Sequence, residues 1–138
     1  MNADGLVTTD NLTQDLLRSL YDGAFLETSL DDDGDLRVKD RISCWVMPSE
    51  RKDRIKLLAN FGFEKKATEI QRLTLVNAIN AEYVVVRAVV APLNDVLRID
   101  YDILVEGGVT ARAIVMGTKR FMAIAIEAIK EYGGDLVE

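Results

Sequence analysis

Two stretches of strict alternation constrain this chain more than any other feature. From Val96 to Val105, the residues Val96, Arg98, Asp100 and Asp102 interleave with Leu97, Ile99, Tyr101 and Ile103. From Arg54 to Phe63, Ile55, Leu57, Ala59, Phe61 and Phe63 interleave with Lys56, Leu58, Asn60 and Gly62. A repeat of two sends successive side chains to opposite faces of an extended strand. Each segment therefore reads as a strand, although Arg51–Ala59 taken alone also fits a helix. In Val96–Val105 one face is apolar and the other charged, the pattern of an antiparallel strand with one side in water.

The remaining segments fill in around these two. Phe25–Leu30 and Leu36–Lys39 flank Asp31-Asp32-Asp33-Gly34-Asp35, and Asp-Gly between extended segments is a hairpin signal. Ile42–Met47 reads as a strand that Pro48-Ser49-Glu50 ends. Tyr83–Ala91 is a further strand, joined to Val96–Val105 by the turn Pro92-Leu93-Asn94-Asp95. Three helices are predicted. One begins near Asp10, capped by Thr9 or Asp10, with Leu12, Leu16, Leu17 and Leu20 on its apolar face and Gly23 at its end. A second spans Glu64 to about Asn80, with Ile70, Leu73, Asn77 and Asn80 on one stripe and Leu75 and Ile79 off it. The third follows a Thr110 cap and runs to about Tyr132, where Gly133-Gly134 stops it. The expected fold is α+β: an antiparallel sheet of five to six strands packed with three helices, in the order α-β-β-β-β-α-β-β-α. Residues 1–9 read as a flexible N-terminus and residues 10–138 as one domain, as the length of 138 residues also implies.

Composition removes whole classes of chemistry. The chain has no histidine and one cysteine, so it lacks Ser-His-Asp and Cys-His catalysis, histidine zinc sites and an internal disulfide. Seventeen basic against 23 acidic side chains give a net charge of −6, which argues against nucleic acid as a partner. No apolar run approaches the roughly 20 residues of a membrane span. The N-terminal residues lack the basic and apolar regions of a secretory signal, so a cytoplasmic location is expected.

What chemistry remains rests on carboxylates and one thiol. Asp100 and Asp102 share a strand face about 6–7 Å apart, a spacing that carboxylate enzymes use. A solvated strand face explains the same pair without catalysis. In the run Asp31–Asp35, counting back from Gly34 as the sixth position of a calcium loop puts Ser29 first, Asp31 third, Asp33 fifth and Asp40 last. Serine is a poor first ligand, Asp40 is short for the last, and the flanks are strands, so a solvated hairpin tip is the plainer reading. Cys44, beside Trp45 in an apolar strand, reads as a buried structural thiol, since Arg41 points to the opposite face. No cofactor and no metal is expected.

The last helix carries more apolar surface than one packing face requires. Ile114, Phe121, Ala125 and Ala128 form one stripe, and Val115, Met122, Ile126 and Ile129 an adjacent one. With Leu75 and Ile79 pointing away from the other stripe of their helix, six residues form a candidate protein-interaction surface: Leu75, Ile79, Val115, Met122, Ile126 and Ile129. A two-fold homodimer would bury them.

Three stretches resemble the YbjN family of bacterial proteins, labelled sensory transduction regulators. They are Leu75-Val76-Asn77-Ala78-Ile79-Asn80, Arg41-Ile42-Ser43-Cys44-Trp45-Val46, and Tyr101-Asp102-Ile103-Leu104-Val105-Glu106-Gly107-Gly108-Val109-Thr110. The resemblance begins near Leu26 and includes the final helix. It implies a fold similar to type III secretion chaperones, a unit that binds polypeptide or dimerises, and it carries no catalytic residues. The expected function is thus a non-catalytic protein-binding module, chaperone-like or regulatory, acting through an apolar helix surface on an unidentified protein partner. The alternatives are a carboxylate-based or metal-dependent enzyme using Asp100 and Asp102, and a calcium-sensing module working through Asp31–Asp35.

Overall fold

The alternating segments do become the centre of a sheet. The computed structural model describes residues 5–92 and 95–138. In chain order the elements are β1 (Leu6–Val7), α1 (Gln14–Gly23), β2 (Glu27–Leu30), β3 (Leu36–Lys39), β4 (Ser43–Pro48) and β5 (Arg54–Gly62). There follow α2 (Glu69–Glu82), β6 (Arg87–Ala91), β7 (Val96–Leu104), β8 (Val109–Thr110) and α3 (Ala111–Ala128). A π-helical turn (Ile129–Gly133) and a 3-10 turn (Gly134–Leu136) close the chain. Six strands form one antiparallel sheet in the order β2-β3-β4-β5-β7-β6, with β5 and β7 paired over nine positions from Arg54↔Leu104 to Gly62↔Val96. The α+β class and the three helices are as the sequence implies.

The register fixes which side chains share a face. Leu36, Val46, Leu57 and Tyr101 lie in one row across four strands, and Val38 with Cys44 and Ala59 with Ile99 continue the same face. Helices α1 and α3 cover it. Leu17, Leu20 and Tyr21 of α1 and Ile114, Phe121 and Ala125 of α3 are buried there, and Gly117 brings α3 close over Ile103 of β7. The Tyr21 hydroxyl and Thr118 Oγ1, both buried, share a hydrogen bond of 2.8 Å, and Thr118 in turn donates to the Ile114 carbonyl at 2.8 Å. Two helices are thereby tied by polar groups that each find a partner.

Helix boundaries depart from expectation for local reasons. Thr8 and Asn11 close a turn on each other, so α1 starts later, with Thr13 Oγ1 accepting from the Leu16 amide at 3.1 Å. Thr68 and Gln71 form a capping box that delays α2 to Glu69. Thr110 caps α3 by accepting from the Ala113 amide at 3.0 Å, as expected. Residues 5–9 are not loose: Leu6–Val7 pairs with Val109–Thr110, and Val7 is fully buried. Residues 1–4, and the Leu93-Asn94 part of the second hairpin turn, lie outside the described residues.

The end of α1 is built on an unusual residue. The Leu26 amide donates to the Tyr21 carbonyl and the Phe25 amide to that of Asp22, both at 3.0 Å, a Schellman closure. Its left-handed position falls on Phe25, with φ 65°, where glycine is usual, while Gly23 sits inside the helix. A side chain there costs about 1–2 kcal/mol, and glycine's extra freedom in the unfolded chain offsets part of that. Phe25 is 96% exposed, so its ring returns little by burial. Phe25→Gly is expected to stabilise the protein by about 0.5–1 kcal/mol in urea denaturation. A loss of stability would mean that the ring has intramolecular contacts that matter.

Helix α2 turns a different face to the sheet than its stripe implies. Leu75 and Ile79 are buried, whereas Ile70 is 78% and Leu73 53% exposed. The reason lies with Asn80 on the polar stripe. Its amide accepts from the Ala88 N–H at 2.8 Å and donates to the Ala88 carbonyl at 2.9 Å. Those are the groups that the edge strand β6 turns away from β7, so a side chain stands where a further strand would pair. This edge contact sets the roll of the helix and carries Leu75 and Ile79 inward.

Candidate functional site

Asp100 and Asp102 project, as expected, from the sheet face that carries no helix among the described residues. Asp100 is nevertheless only 4% exposed, and Arg87 on β6 meets it with two bonds, Nη2 to Oδ2 at 2.9 Å and Nε to Oδ1 at 3.2 Å. Lys56 on β5 lies 3.1 Å from Oδ1 of Asp102. Cross-strand register explains both pairs, since Arg87 is opposite Asp100 and Lys56 is opposite Asp102. A buried carboxylate held by a forked guanidinium is charge-neutral and fixed, which suits a structural role. A surface depression over the β4–β5 turn runs from Met47 to Lys56, the partner of Asp102, and another lies between α2 and β6 beside Leu73 and Val90; neither carboxylate lines them.

The acidic hairpin tip is organised from within. Oδ1 of Asp31 accepts from the backbone amides of Asp33 at 3.0 Å and Asp35 at 2.9 Å, and Oδ2 accepts from the indole N–H of Trp45 at 2.8 Å. These bonds, the indole first, hold the Asp31 carboxyl below its ordinary range. Carboxylate oxygens of Asp31, Asp33 and Asp35 come within 4.8 Å of one another. Asp31 spends both oxygens on the loop and on Trp45, and Gly34 supplies the positive φ of 83° that the turn needs. The arrangement accounts for the acidic run as hairpin chemistry.

Cys44 faces the core between β3 and β5, opposite Val38. Burial pushes its thiol up to about 12, against a weaker downward pull from Arg37. The buried Tyr21 hydroxyl is raised too, chiefly by burial. Both groups keep their protons in the folded state at pH values where the unfolded chain loses them. The folded state then binds the extra protons, so stability is complete below about pH 9 and falls as pH rises above it. For one group the slope is about 1.4 kcal/mol per pH unit. Urea midpoints at pH 8 and pH 10.5 are expected to differ accordingly, and a flat profile would contradict the burial of both groups.

The predicted interaction surface needs correction. Leu75, Ile79 and Met122 belong to the hydrophobic core of the single chain, Val115 and Ile129 are half-buried against it, and Ile126 is half-buried at a surface depression beside Ala123 and Lys130. Helix α3 uses its first apolar stripe and all of the second but Ile126 internally, because β5, β7, β8 and α1 pack around it. The case for a two-fold dimer rested on Leu75 and Ile79 lacking cover; one chain supplies that cover. Ile70 and Leu73 are the apolar residues that α2 turns outward.

One group spans strands that sequence reasoning treated separately. Across the uncovered sheet face, Arg37, Trp45, Leu58, Asp100 and Arg87 fall in a single row. The Arg37 guanidinium stacks 4.1 Å from the centre of the Trp45 ring. The alternation hinted at it, since Trp45 and Leu58 occupy positions that should be wet.

The profile of the YbjN family, described as "Putative bacterial sensory transduction regulator", matches residues 13–136. The fold is similar to the crystal structure of E. coli YbjN, described as "a putative transcription regulator", at a TM-score of 0.80 and 18% identity, over 97% of this chain and 99% of that one. At that identity the likeness establishes the fold alone. No curated protein matches the sequence.

Proposed function

The chain belongs to the YbjN family, and from that premise we propose that it is a non-catalytic regulatory module of the bacterial cytoplasm that works by binding a protein. The observation carrying this reading is the state of its carboxylate pair. Asp100 is buried under a bidentate arginine and Asp102 forms an ion pair with Lys56, so cross-strand charge pairing accounts for both carboxylates. The absence of histidine leaves few other groups suited to acid-base work near neutral pH. No helix among the described residues is long and apolar enough to cross a membrane. Binding through an apolar helix surface stays part of the proposal, with Ile70 and Leu73 of α2 as the contact in place of the buried residues.

The test joins a substrate screen to surface variants. The protein is expected to turn over no ester, phosphoester, glycoside or peptide substrate above the buffer rate; turnover that Asp102→Asn abolishes would sink the reading. Millimolar calcium is expected to leave the melting temperature unchanged, since a ligand that binds only the folded state must raise it. Ile70→Lys with Leu73→Lys is expected to preserve the melting temperature while abolishing complementation of a deletion strain. Full complementation by that variant would remove α2 from the proposal.

A further inference from the structure

We propose that the uncovered face of the sheet is a docking surface for an acidic, extended segment of a partner protein. The proposal rests on the binding reading above and names the partner's chemistry. The strand register turns Arg37, Lys39, Arg54, Lys56, Arg87 and Arg98 to this face, against Glu27, Asp100 and Asp102. Asp31, bonded to the Trp45 indole, and Glu138, over Gly62, add two carboxylates, so the face is net positive by one charge on a chain whose net charge is −6 and the rest of the surface carries an excess of seven negatives. Charge is segregated, and the segregation follows from alternation rather than from any one motif.

Not all six cations are free. Arg87 and Lys56 are committed to Asp100 and Asp102. Arg98 donates to the neutral Asn60 amide at 3.3 Å, and Arg37 lies over Trp45 with Asp31 nearby, so neither is held in an ion pair. Lys39 and Arg54 are exposed at either side. Between them sit Trp45 and Met47, both half-exposed, with Leu58 beneath. An aromatic centre ringed by guanidinium groups is the anatomy of a protein-binding hot spot. Asp31 closes one corner through its bond to the indole.

The occupant follows from range. Charges in water are screened beyond about 8–10 Å, so a short segment lying on the face senses the face's own positive balance, with Lys39 and Arg54 as its exposed cations. A long polyanion such as DNA would extend past the face and meet the negative remainder. An extended chain alternating acidic and apolar residues matches both the spacing of the rows and the apolar centre.

Trp45 is the chain's one tryptophan, so its emission reports on this face alone. The probe is a short peptide alternating Glu and Leu, with a Lys-Leu peptide and oligo(dT) as controls. The Glu-Leu peptide is expected to change Trp45 emission saturably, with affinity falling roughly tenfold between about 50 and about 300 mM salt. Lys39→Glu with Arg54→Glu is expected to weaken it roughly tenfold at an unchanged melting temperature, because both side chains are exposed. A silent Trp45, an equal response to the Lys-Leu peptide, or an unaffected double variant would overturn the proposal. A stronger response to oligo(dT) would overturn it in favour of nucleic acid. A mass doubling at low salt that the double variant abolishes would overturn it in favour of a second copy of this chain. The substrate screen judges the broader reading separately, so silence here with no turnover there removes only this surface.

Discussion

Met122→Lys is expected to unfold this protein at ambient temperature or bring it close to that point. Met122 is 1% exposed and belongs to the core cluster with Phe121 and Ala125. A lysine there either buries an ammonium with no carboxylate beside it or pushes the end of α3 off the sheet. An unpaired buried charge costs several kcal/mol, and a domain of this size has about 5–15 kcal/mol of stability in all. A loss of about 4 kcal/mol or more would lower the melting temperature by roughly 10–20 °C. Ile126→Lys, at a half-buried position one turn on, is expected to cost about 1 kcal/mol and serves as the comparison. Circular dichroism melts of the two variants decide the matter. Similar small losses in both would return Met122 to the surface, where its spacing alone had put it.

The second large effect concerns the charge pair on the open face. Arg87→Ala removes the one cation that meets Asp100 and leaves a carboxylate that is almost wholly shielded from water. Breaking a fully buried pair costs about 3–5 kcal/mol; because Arg87 itself is largely exposed, screening reduces the expected loss to about 2 kcal/mol. The cause is the orphaned charge rather than the missing arginine. Asp100→Asn in the Arg87→Ala background is therefore expected to restore at least half of the loss, and a double-mutant cycle should return a coupling above about 1 kcal/mol. If the two losses simply add, the pair is a surface decoration and Asp100 finds its stability elsewhere.

How legible this was depends on the length over which a pattern repeats. Strands β5 and β7 alternate for nine residues, long enough that the period alone located them and told wet face from dry. Thr110 and the Asp-Gly turn were legible because each is local chemistry of one or two residues. Helix α2 misled because two stripes, Ile70–Leu73–Asn77–Asn80 and Leu75–Ile79, both have helical spacing. Which one faces inward is decided by the bond from Asn80 to an edge strand eight residues later, and periodicity cannot see that. Strands β1 and β8 are two residues each, too short to carry a period. The left-handed Phe25 was hidden by Gly23, the more obvious place for a helix to stop. Of the charged open face only Lys56, Arg98, Asp100 and Asp102 were visible, as one side of two alternations. Their sum required the register, which no single strand contains.

The strand order has a consequence for how this chain comes together in time. Strands β2 to β5 each pair with the next in sequence, and β6 pairs with β7, so the molecule consists of two self-paired pieces. They meet along the β5–β7 seam, and β1 pairing with β8, the Tyr21–Thr118 bond and the Glu138 amide on the Gly62 carbonyl at 2.9 Å reinforce it. Closing that seam must wait until α2 and β6 have been drawn across the intervening loop, and a pairing so remote in sequence is slow to nucleate. A chain severed between β5 and α2 would therefore leave two fragments, each with its own hairpins intact and each presenting one half of a nine-residue zipper. The two are complementary halves of a reassembling protein, with the cut placed where the fold already has its natural division.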